Sequence, residues 1–328
     1  MGFEVSANDV QTLYTGIQLS LRDAYNKYTP KMSGLAMQVV SSQMREAYPL
    51  QAINATMTRW TGDRTISNLI QKTVYLDNGK PWQETIGISR QDLELKGRTL
   101  NMGSIAAKQG KAAKSLEDQI IKTLLQNGTS QVCVDGVNFF SASHPVIPWE
   151  SGAGTFTNYR TSFGLTRANF RTAYQYMRAL KGWDTLPFDS GDYQYILLVP
   201  PQLESIAQTI VEADLVANDG TAGGTSVASQ NVDKGKAKVV VSPLLIAEAD
   251  VWYLISLDPS MGASSSEFGV SAPLAGPFVL QQWRPLEVTP MFNLTDPNVF
   301  FQDQYLIGIN RGLEGGYLLP QHALRCEG

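Results

Sequence analysis

Residues 101–127, NMGSIAAKQGKAAKSLEDQIIKTLLQN, constrain the fold more than any other stretch of this sequence. Ile105, Ala112, Leu116, Ile120 and Leu124 recur at four- and seven-residue spacing, which sets them on one face of a helix. Lys108, Lys111, Lys114, Asp118 and Lys122 fall on other faces, with Asp118 and Lys122 at the supportive i,i+4 spacing. Gly128 is the expected C-cap, because glycine takes the left-handed conformation at little cost. At 1.5 Å per residue such a helix runs about 35–40 Å, against a mean of about three turns in ordinary domains. Its apolar stripe reads as narrow. That combination predicts a rod carrying other elements rather than the centre of a thick globule.

The remaining 301 or so residues bound what the rod can carry, since 328 residues suffice for two domains or one elaborate one. Charged residues make up 17% of the chain, below the roughly 25% of an average soluble protein. Two explanations stay open: a surface committed to other protein surfaces, where charge is depleted at interface centres, or an ordinary polar surface rich in glycine and serine. The net charge of −4 gives no global basic field to attract nucleic acid. Two cysteines, Cys133 and Cys326, fit a reducing compartment rather than a disulfide framework. The opening residues MGFEVSANDV carry neither a basic start nor an apolar run, and no stretch is apolar enough to span a bilayer, so a soluble intracellular product is expected.

A second amphipathic helix is expected over residues 8–28, where Val10, Leu13, Tyr14, Ile17, Leu21, Ala24, Tyr25 and Tyr28 share one face and Pro30 stops it. Its stripe must be covered either by a neighbouring subunit or by its own core. Residues 31–58 show weak periodicity. Residues 67–76 and 81–89 then read as the two arms of a long hairpin around Asp77-Asn78-Gly79-Lys80, with Asn78-Gly79 as a type I′ turn and Tyr75 opposite Trp82. A ribbon of that length, roughly 30 Å at 3.3 Å per residue, is marginal alone and should lie on another surface. Downstream, the sequence predicts a turn at Asp135-Gly136, a hinge over 151–164 and a helix over 166–180. Strands are expected at 193–199, 238–241, 251–257, 278–282 and 298–310, a helix over 202–213, and a mobile glycine-rich loop over 218–235. The order of elements is α+β or mixed α/β.

Groups able to perform catalysis are scarce. His144 and His322 are the only imidazoles, and neither sits in an HExxH or beside a Gly-x-Ser-x-Gly elbow. Cys133 and His144 can be imagined as a thiol–imidazole pair, the sole support for an enzyme reading, but without a supporting signature His144 reads as a structural histidine. Lys234-Gly235-Lys236-Ala237 lacks the order of a phosphate-binding loop. Lys108, Lys111 and Lys114 make a small basic stripe that reads as a solvated face. No catalytic, cofactor-binding or metal-ligating set is expected.

Several segments together resemble a known family, the Mu-like prophage major head subunits of tailed bacteriophages. They are Trp60-Thr61-Gly62-Asp63-Arg64, Lys80-Pro81-Trp82-Gln83-Glu84-Thr85, Ser89-Arg90-Gln91-Asp92, Asp135-Gly136-Val137-Asn138-Phe139-Phe140 leading to Ser143-His144-Pro145-Val146, residues 231–245, and residues 300–311 with Tyr305, Gly308 and Arg311. The resemblance implies the Hong Kong-type phage capsid fold, here with an N-terminal arm (1–58), an extended β-hairpin loop (59–98), a peripheral domain with its spine helix (99–165), an axial domain (166–295) and a return to the peripheral domain (296–328). It implies a homo-oligomer of hexamers and pentamers in a shell around double-stranded DNA. Portal, scaffold and decoration proteins would be the partners, with no membrane and no cofactor. Tyr75, Asn78, Gly79, Lys80 and Trp82 of the hairpin, and Leu13, Ile17 and Leu21 of the first helix, are the expected contacts between subunits. An encapsulin-like compartment shares the fold and is the alternative. Some capsids of this fold join a loop lysine to a neighbour's asparagine. Here Lys72 and Lys80 are the hairpin's lysines, and Asp77 across from Lys80 favours its charged form, so a non-covalent shell is expected.

Overall fold

The computed structural model describes residues 7–53, 62, 69–91, 102–147, 154–181, 187, 193–217, 228–257, 276–293 and 295–328. Its helices are α1 (Ala7–Lys27), α2 (Met102–Asn127), α3 (Arg167–Ala179), α4 (Glu204–Val211) and α5 (Pro297–Gln302). The strands begin with β1 (Ala36–Val40), β2 (Arg45–Ile53), β3 (Leu69–Asp77), β4 (Trp82–Ser89), β5 (His144–Pro145), β6 (Thr155–Phe156) and β7 (Tyr159–Arg160). They continue with β8 (Gln194–Val199), β9 (Leu215–Ala217), β10 (Ala228–Gln230), β11 (Lys238–Val241) and β12 (Val251–Leu257). The last three are β13 (Phe278–Met291), β14 (Gln304–Tyr317) and β15 (Ala323–Glu327).

The long helix is α2, as its periodicity predicts, but it is not a thinly covered rod. Its buried residues include Ala106, Gln109, Gly110, Ala113, Glu117, Asp118, Ile121 and Leu125 besides Leu116 and Ile120, whereas Ala112 is exposed and Ile105 and Leu124 are half-buried. One side packs on α1 and the first sheet, where Met102, Ala106 and Ala113 join Ile17, Leu21, Ile88, Tyr305, Ile307 and Ile309. The other side, Leu116, Ile120, Ile121 and Leu125, meets Phe139, Phe140, Phe278 and Tyr253. Small residues hide the first contact from a hydrophobicity count. A Cβ on Gly110 would overlap the Leu21 carbonyl oxygen and lie 3.0 Å from its carbonyl carbon, so the two backbones touch. Asp118, read as lying off the apolar face and paired with Lys122, is buried and accepts the main-chain N–H groups of Lys31 and Met32 at 3.0 and 2.8 Å. Gly128 does not take the left-handed conformation. It is required instead because a Cβ there would overlap the Phe140 ring.

Two sheets frame this helix. The first has the order β1-β13-β14-β4, with β1 parallel to β13 and the other pairs antiparallel. The second has the order β11-β8-β12-β15-β7. Its central strand β12 is buried on both faces because alternate residues point opposite ways: Tyr253 and Ile255 into the core under α2, Trp252 and Leu254 into a second core with Phe170, Met177 and Ile210. Thr166 caps α3, its side chain accepting from the Asn169 N–H.

Strand pairing overturns the expected hairpin. β3 pairs with β2 along nine positions, Arg45 opposite Asp77 to Ile53 opposite Leu69, and makes a two-stranded ribbon. β4 pairs with β14 instead, so Tyr75 stands opposite Ala47 and Trp82 opposite Arg311. Gly79 does not take a positive φ, and no type I′ turn forms: residues 78–81 step from the ribbon to the first sheet. The stretch 31–58, read as weakly periodic, supplies β1 and β2. Two further expectations change. Residues 298–310 are not one strand, since α5 ends at Asp303 in the left-handed conformation (φ 50°) before β14 begins. The end of the expected mobile loop, residues 228–235, is ordered as β10 and a turn at Gly235 (φ 77°), and residues 218–227 lie outside the described set.

Candidate assembly surfaces

The ribbon base is fastened to the first sheet by a polar chain. Tyr48 Oη donates to Gln281 Oε1 at 2.7 Å, Gln281 Nε2 donates to Asn78 Oδ1 at 2.6 Å, and Asn78 Nδ2 donates to the Gln43 carbonyl. Asn78 is therefore engaged within its own subunit. Gly79 lies against Glu314, whose carboxylate a Cβ would reach at less than van der Waals separation. Burial pushes the Glu314 carboxyl above its usual range. Of the expected contact residues, Tyr75 (61% exposed) stands out from the ribbon beneath the Arg45 guanidinium, which also pairs with Asp77. Asp77 thus faces Arg45, not Lys80, and Lys80 is exposed on the step between sheets. Trp82 (49% exposed) donates its indole N–H to the Leu313 carbonyl at 2.9 Å. It stands over a cavity of about 160 Å³ lined by Ala112, Leu116, Gln119 and Ile309.

The first helix resolves the choice its stripe left open. Ile17 and Leu21 are buried against α2 of the same chain, so their apolar surface is spent inside the subunit. The Leu13 side chain lies outside the described residues. Two lysines of α2 reach toward the first helix and the turn after it: Lys111 sits over the Tyr28 ring at 5.5 Å, and Lys114 over Tyr25 at 5.4 Å. Sequence reasoning missed an exposed aromatic pair, Phe300 and Phe301 (76% and 79% exposed), which pack edge-to-face at 5.0 Å on α5. Pro297 at the first helical position was the signal that a helix starts there.

Cys133 and His144 do come together, but through Asp135. The Cys133 thiol donates to Asp135 Oδ1 at 3.0 Å and the His144 Nδ1 lies 2.6 Å from Asp135 Oδ2. Burial, then the Asp135 carboxylate, push the Cys133 thiol far above its ordinary range, so the thiolate a nucleophile needs is disfavoured. The turn that places Asp135 is the expected one, with Gly136 at φ 87°.

Residues 231–236 form an ion network around one carboxylate. Asp233 is fully buried and accepts from Arg167 Nε at 3.0 Å, Arg171 Nε at 2.7 Å and Lys236 Nζ at 2.8 Å, tying the turn to α3. Burial alone would push this carboxyl up; bonds from Lys236, Arg167 and Arg171 outweigh it and hold the carboxyl below its usual range. A carboxylate depressed in the folded state contributes stability that is present above its unfolded pKa, about 3.9, and is lost as pH falls through the folded value. Urea midpoints measured against pH should stay flat above about pH 5 and fall below about pH 4. Asp233→Asn should flatten that acid limb while lowering the plateau; an acid limb unchanged in Asp233→Asn would remove Asp233 as its source.

The family profile described as Mu-like prophage major head subunit gpT matches residues 10–164 and 156–245. The chain is similar to the major capsid protein of Escherichia phage Mu, 35% identical over 144 residues, which are 43% of this chain and 44% of that protein. It is also similar to the Mu-like prophage FluMu major head subunit of Haemophilus influenzae, 28% identical over 187 residues, 54% of this chain and 58% of that protein. The alignments thus span about half the length of these relatives. Among solved structures, a procapsid chain of bacteriophage JBD30 superposes with a TM-score of 0.53 at 19% identity, covering 98% of this chain and 76% of that one. A chain of the bacteriophage PhiM1 mature capsid superposes with a TM-score of 0.53 at 13% identity, covering 92% and 87%. These likenesses show the fold, the α+β Hong Kong-type phage capsid fold. The chain belongs to the Mu-like prophage major head subunit gpT family.

Proposed function

We propose that the chain is the major capsid subunit of a tailed bacteriophage, whose copies close into an icosahedral shell around double-stranded DNA. The observation that carries this reading is a capsid fold over nearly the whole chain in a subunit that leaves elements wanting a second surface. The β2–β3 ribbon has no third strand among the described residues, and a lone two-stranded ribbon is marginal in water. Tyr75, Trp82, Phe300 and Phe301 are apolar surface that a neighbour would cover. In this reading the extended loop is the ribbon, with α2 as the spine. The axial part holds α3, α4 and the second sheet, while the arm formed by α1 is clamped to its own spine. Copies meet through heterologous contacts that close into hexamers and pentamers. Portal, scaffold and decoration proteins complete a head built in the host cytoplasm. The net charge of −4 suits a container wall, since basic surfaces hold DNA through counterion release.

Electron microscopy of the purified protein should show closed particles. Tyr75→Ala, with an unchanged melting temperature in the free subunit, should lower their yield at least about tenfold, the scale of an interfacial aromatic anchor. A chain that stays monomeric at every concentration, with or without scaffold, sinks the reading. Boiled particles should give a single band near 36.0 kDa, because Lys80 sits in water rather than in the dry pocket an amine nucleophile needs. A ladder of oligomers that vanishes in Lys80→Ala would overturn the non-covalent shell.

A further inference from the structure

Cys133, Asp135 and His144 offer a sulfur, a carboxylate oxygen and an imidazole nitrogen that all lie within 4.8 Å of one another. The loop after α2 sets them by main-chain bonds: Cys133 N–H to the Val137 carbonyl at 2.8 Å, and Gly136 N–H to the Cys133 carbonyl at 3.1 Å. His144 is fully buried, stacked on Phe156 with centroids 5.0 Å apart. Behind the ring, Nε2 faces the Phe139 carbonyl at 3.1 Å and Asn158 Oδ1 at 3.0 Å. The Asn158 amide cannot be turned round, because its Oδ1 also accepts the Ser141 N–H while its Nδ2 donates to the Phe139 and Pro320 carbonyls. Nε2 therefore carries a hydrogen, and Nδ1 is the nitrogen presented to Cys133 and Asp135. A ring held from behind by carbonyl-type oxygens, with its other nitrogen aimed at a thiol and a carboxylate, is the outer-shell arrangement of metal-binding histidines.

We propose that these three side chains bind a zinc ion, with water in the fourth position on the side where Cys133 is only half-buried. A mixed sulfur, nitrogen and oxygen set of three ligands with an open position matches zinc better than magnesium or calcium, which take oxygen. Tetrahedral zinc with bonds of about 2.0–2.3 Å separates its ligand atoms by roughly 3.3–3.6 Å. The thiol, 3.0 Å from Asp135 Oδ1, and the carboxylate, 2.6 Å from His144 Nδ1, must each draw away from these contacts, shifts of under about 1 Å that rotation of the Cys133 and Asp135 side chains can make. The exchange balances. The metal-free network holds the thiol proton and the proton between His144 Nδ1 and Asp135; zinc replaces both, leaving thiolate, neutral imidazole and carboxylate on a dication and releasing two protons to solvent. The ion would staple the loop after α2 to β5 and, through Asn158, to the Pro320 backbone. It needs no neighbouring subunit, so the site is independent of shell assembly.

The purified full chain should be loaded with zinc chloride, desalted and analysed for metal. One zinc per chain is expected, and Cys133→Ala should retain less than about a tenth of it. Cobalt in place of zinc should give a thiolate-to-cobalt charge-transfer band in the near ultraviolet that Cys133→Ala lacks. The melting temperature of the wild-type chain should rise with zinc and return with a chelator, because the ion binds the folded state. Equal zinc in Cys133→Ala and wild type, or cobalt bound without the charge-transfer band, overturns the site. Cys133 is half-buried with one side-chain bond, so the variant should fold; if it does not, the cobalt band of the wild-type chain decides alone.

Discussion

Gly110→Ala should lower the stability of the subunit by about 2–3 kcal/mol, although alanine is the better helix former by about 1 kcal/mol. The reason is the absence of space. A Cβ at this position overlaps the Leu21 carbonyl oxygen and sits 3.1 Å from the Tyr25 nitrogen, and both are main-chain atoms of α1 that no rotamer change can move. The helix pair must separate, and with it the contact of Ile17 and Leu21 against Ala106 and Ala113. Gly16 on the exposed side of α1 supplies the control, because nothing lies within 4 Å of a Cβ there. Gly16→Ala should gain about 0.5–1 kcal/mol. The same chemical change with opposite sign isolates the backbone contact. Urea unfolding of both variants at equal slope measures it, and a neutral or stabilising Gly110→Ala would mean that α1 does not lie against α2 in solution.

That contact marks the border of what the sequence could disclose. Periodicity reports the large side chains, so α1, α2 and α3 are visible in it, as are β11 and β12, which match their expected bounds. It is blind to close approach, since Ala106, Gly110 and Ala113 weigh little as hydrophobes. It is blind also to partner choice. The stripe of Ile17 and Leu21 reads alike whether a neighbour or the same chain covers it. Asn78-Gly79 between two β-prone runs is a strong local hairpin signal, yet the strands on either side take partners 16–32 residues upstream and more than 200 downstream. Local turn chemistry lost here to the Asn78 amide, whose bonds to Gln43 and Gln281 serve the ribbon base. The fold as a whole was legible only through motif resemblance, because Asp135, Gly136 and His144 fix a turn whose sequence is distinctive even when its role is structural. Phe300 and Phe301 were misread for a simple reason: aromatic doublets are β-prone, and the helix that displays them is short.

Glu117→Ala should be among the most costly single changes to a charge among the described residues. Glu117 Oε1 accepts from Arg311 Nη2 at 2.7 Å and from Lys114 Nζ at 2.7 Å, and the Glu117 and Arg311 side chains are each 4% exposed. Arg311 also donates to the Ala113 carbonyl at 3.0 Å and to Gln282 Oε1 at 2.9 Å, so it joins α2 to the first sheet. Removing the carboxylate in Glu117→Ala leaves a buried guanidinium among neutral acceptors, with the Lys114 ammonium close by. Stripping one partner from a buried ion pair costs about 3–5 kcal/mol, and the residual like-charge contact puts Glu117→Ala at the upper end. Arg311→Met leaves Glu117 with Lys114, which is a quarter exposed and can follow the carboxylate, so its cost should lie at the lower end of that range. The bridge itself is not an efficient source of stability: Glu117 Oε2 and Arg311 Nε are buried without hydrogen-bond partners. Replacing both residues by apolar ones of similar volume, Glu117→Leu with Arg311→Met, should therefore recover most of the loss, because neither charge is then stranded. A double-mutant cycle built from Glu117→Leu, Arg311→Met and their combination, read by urea unfolding, should show a coupling of at least about 3 kcal/mol between the two positions. Strict additivity, with the double variant as unstable as the sum of the singles, would show that the pair acts through packing alone and that Glu117 carries no buried countercharge.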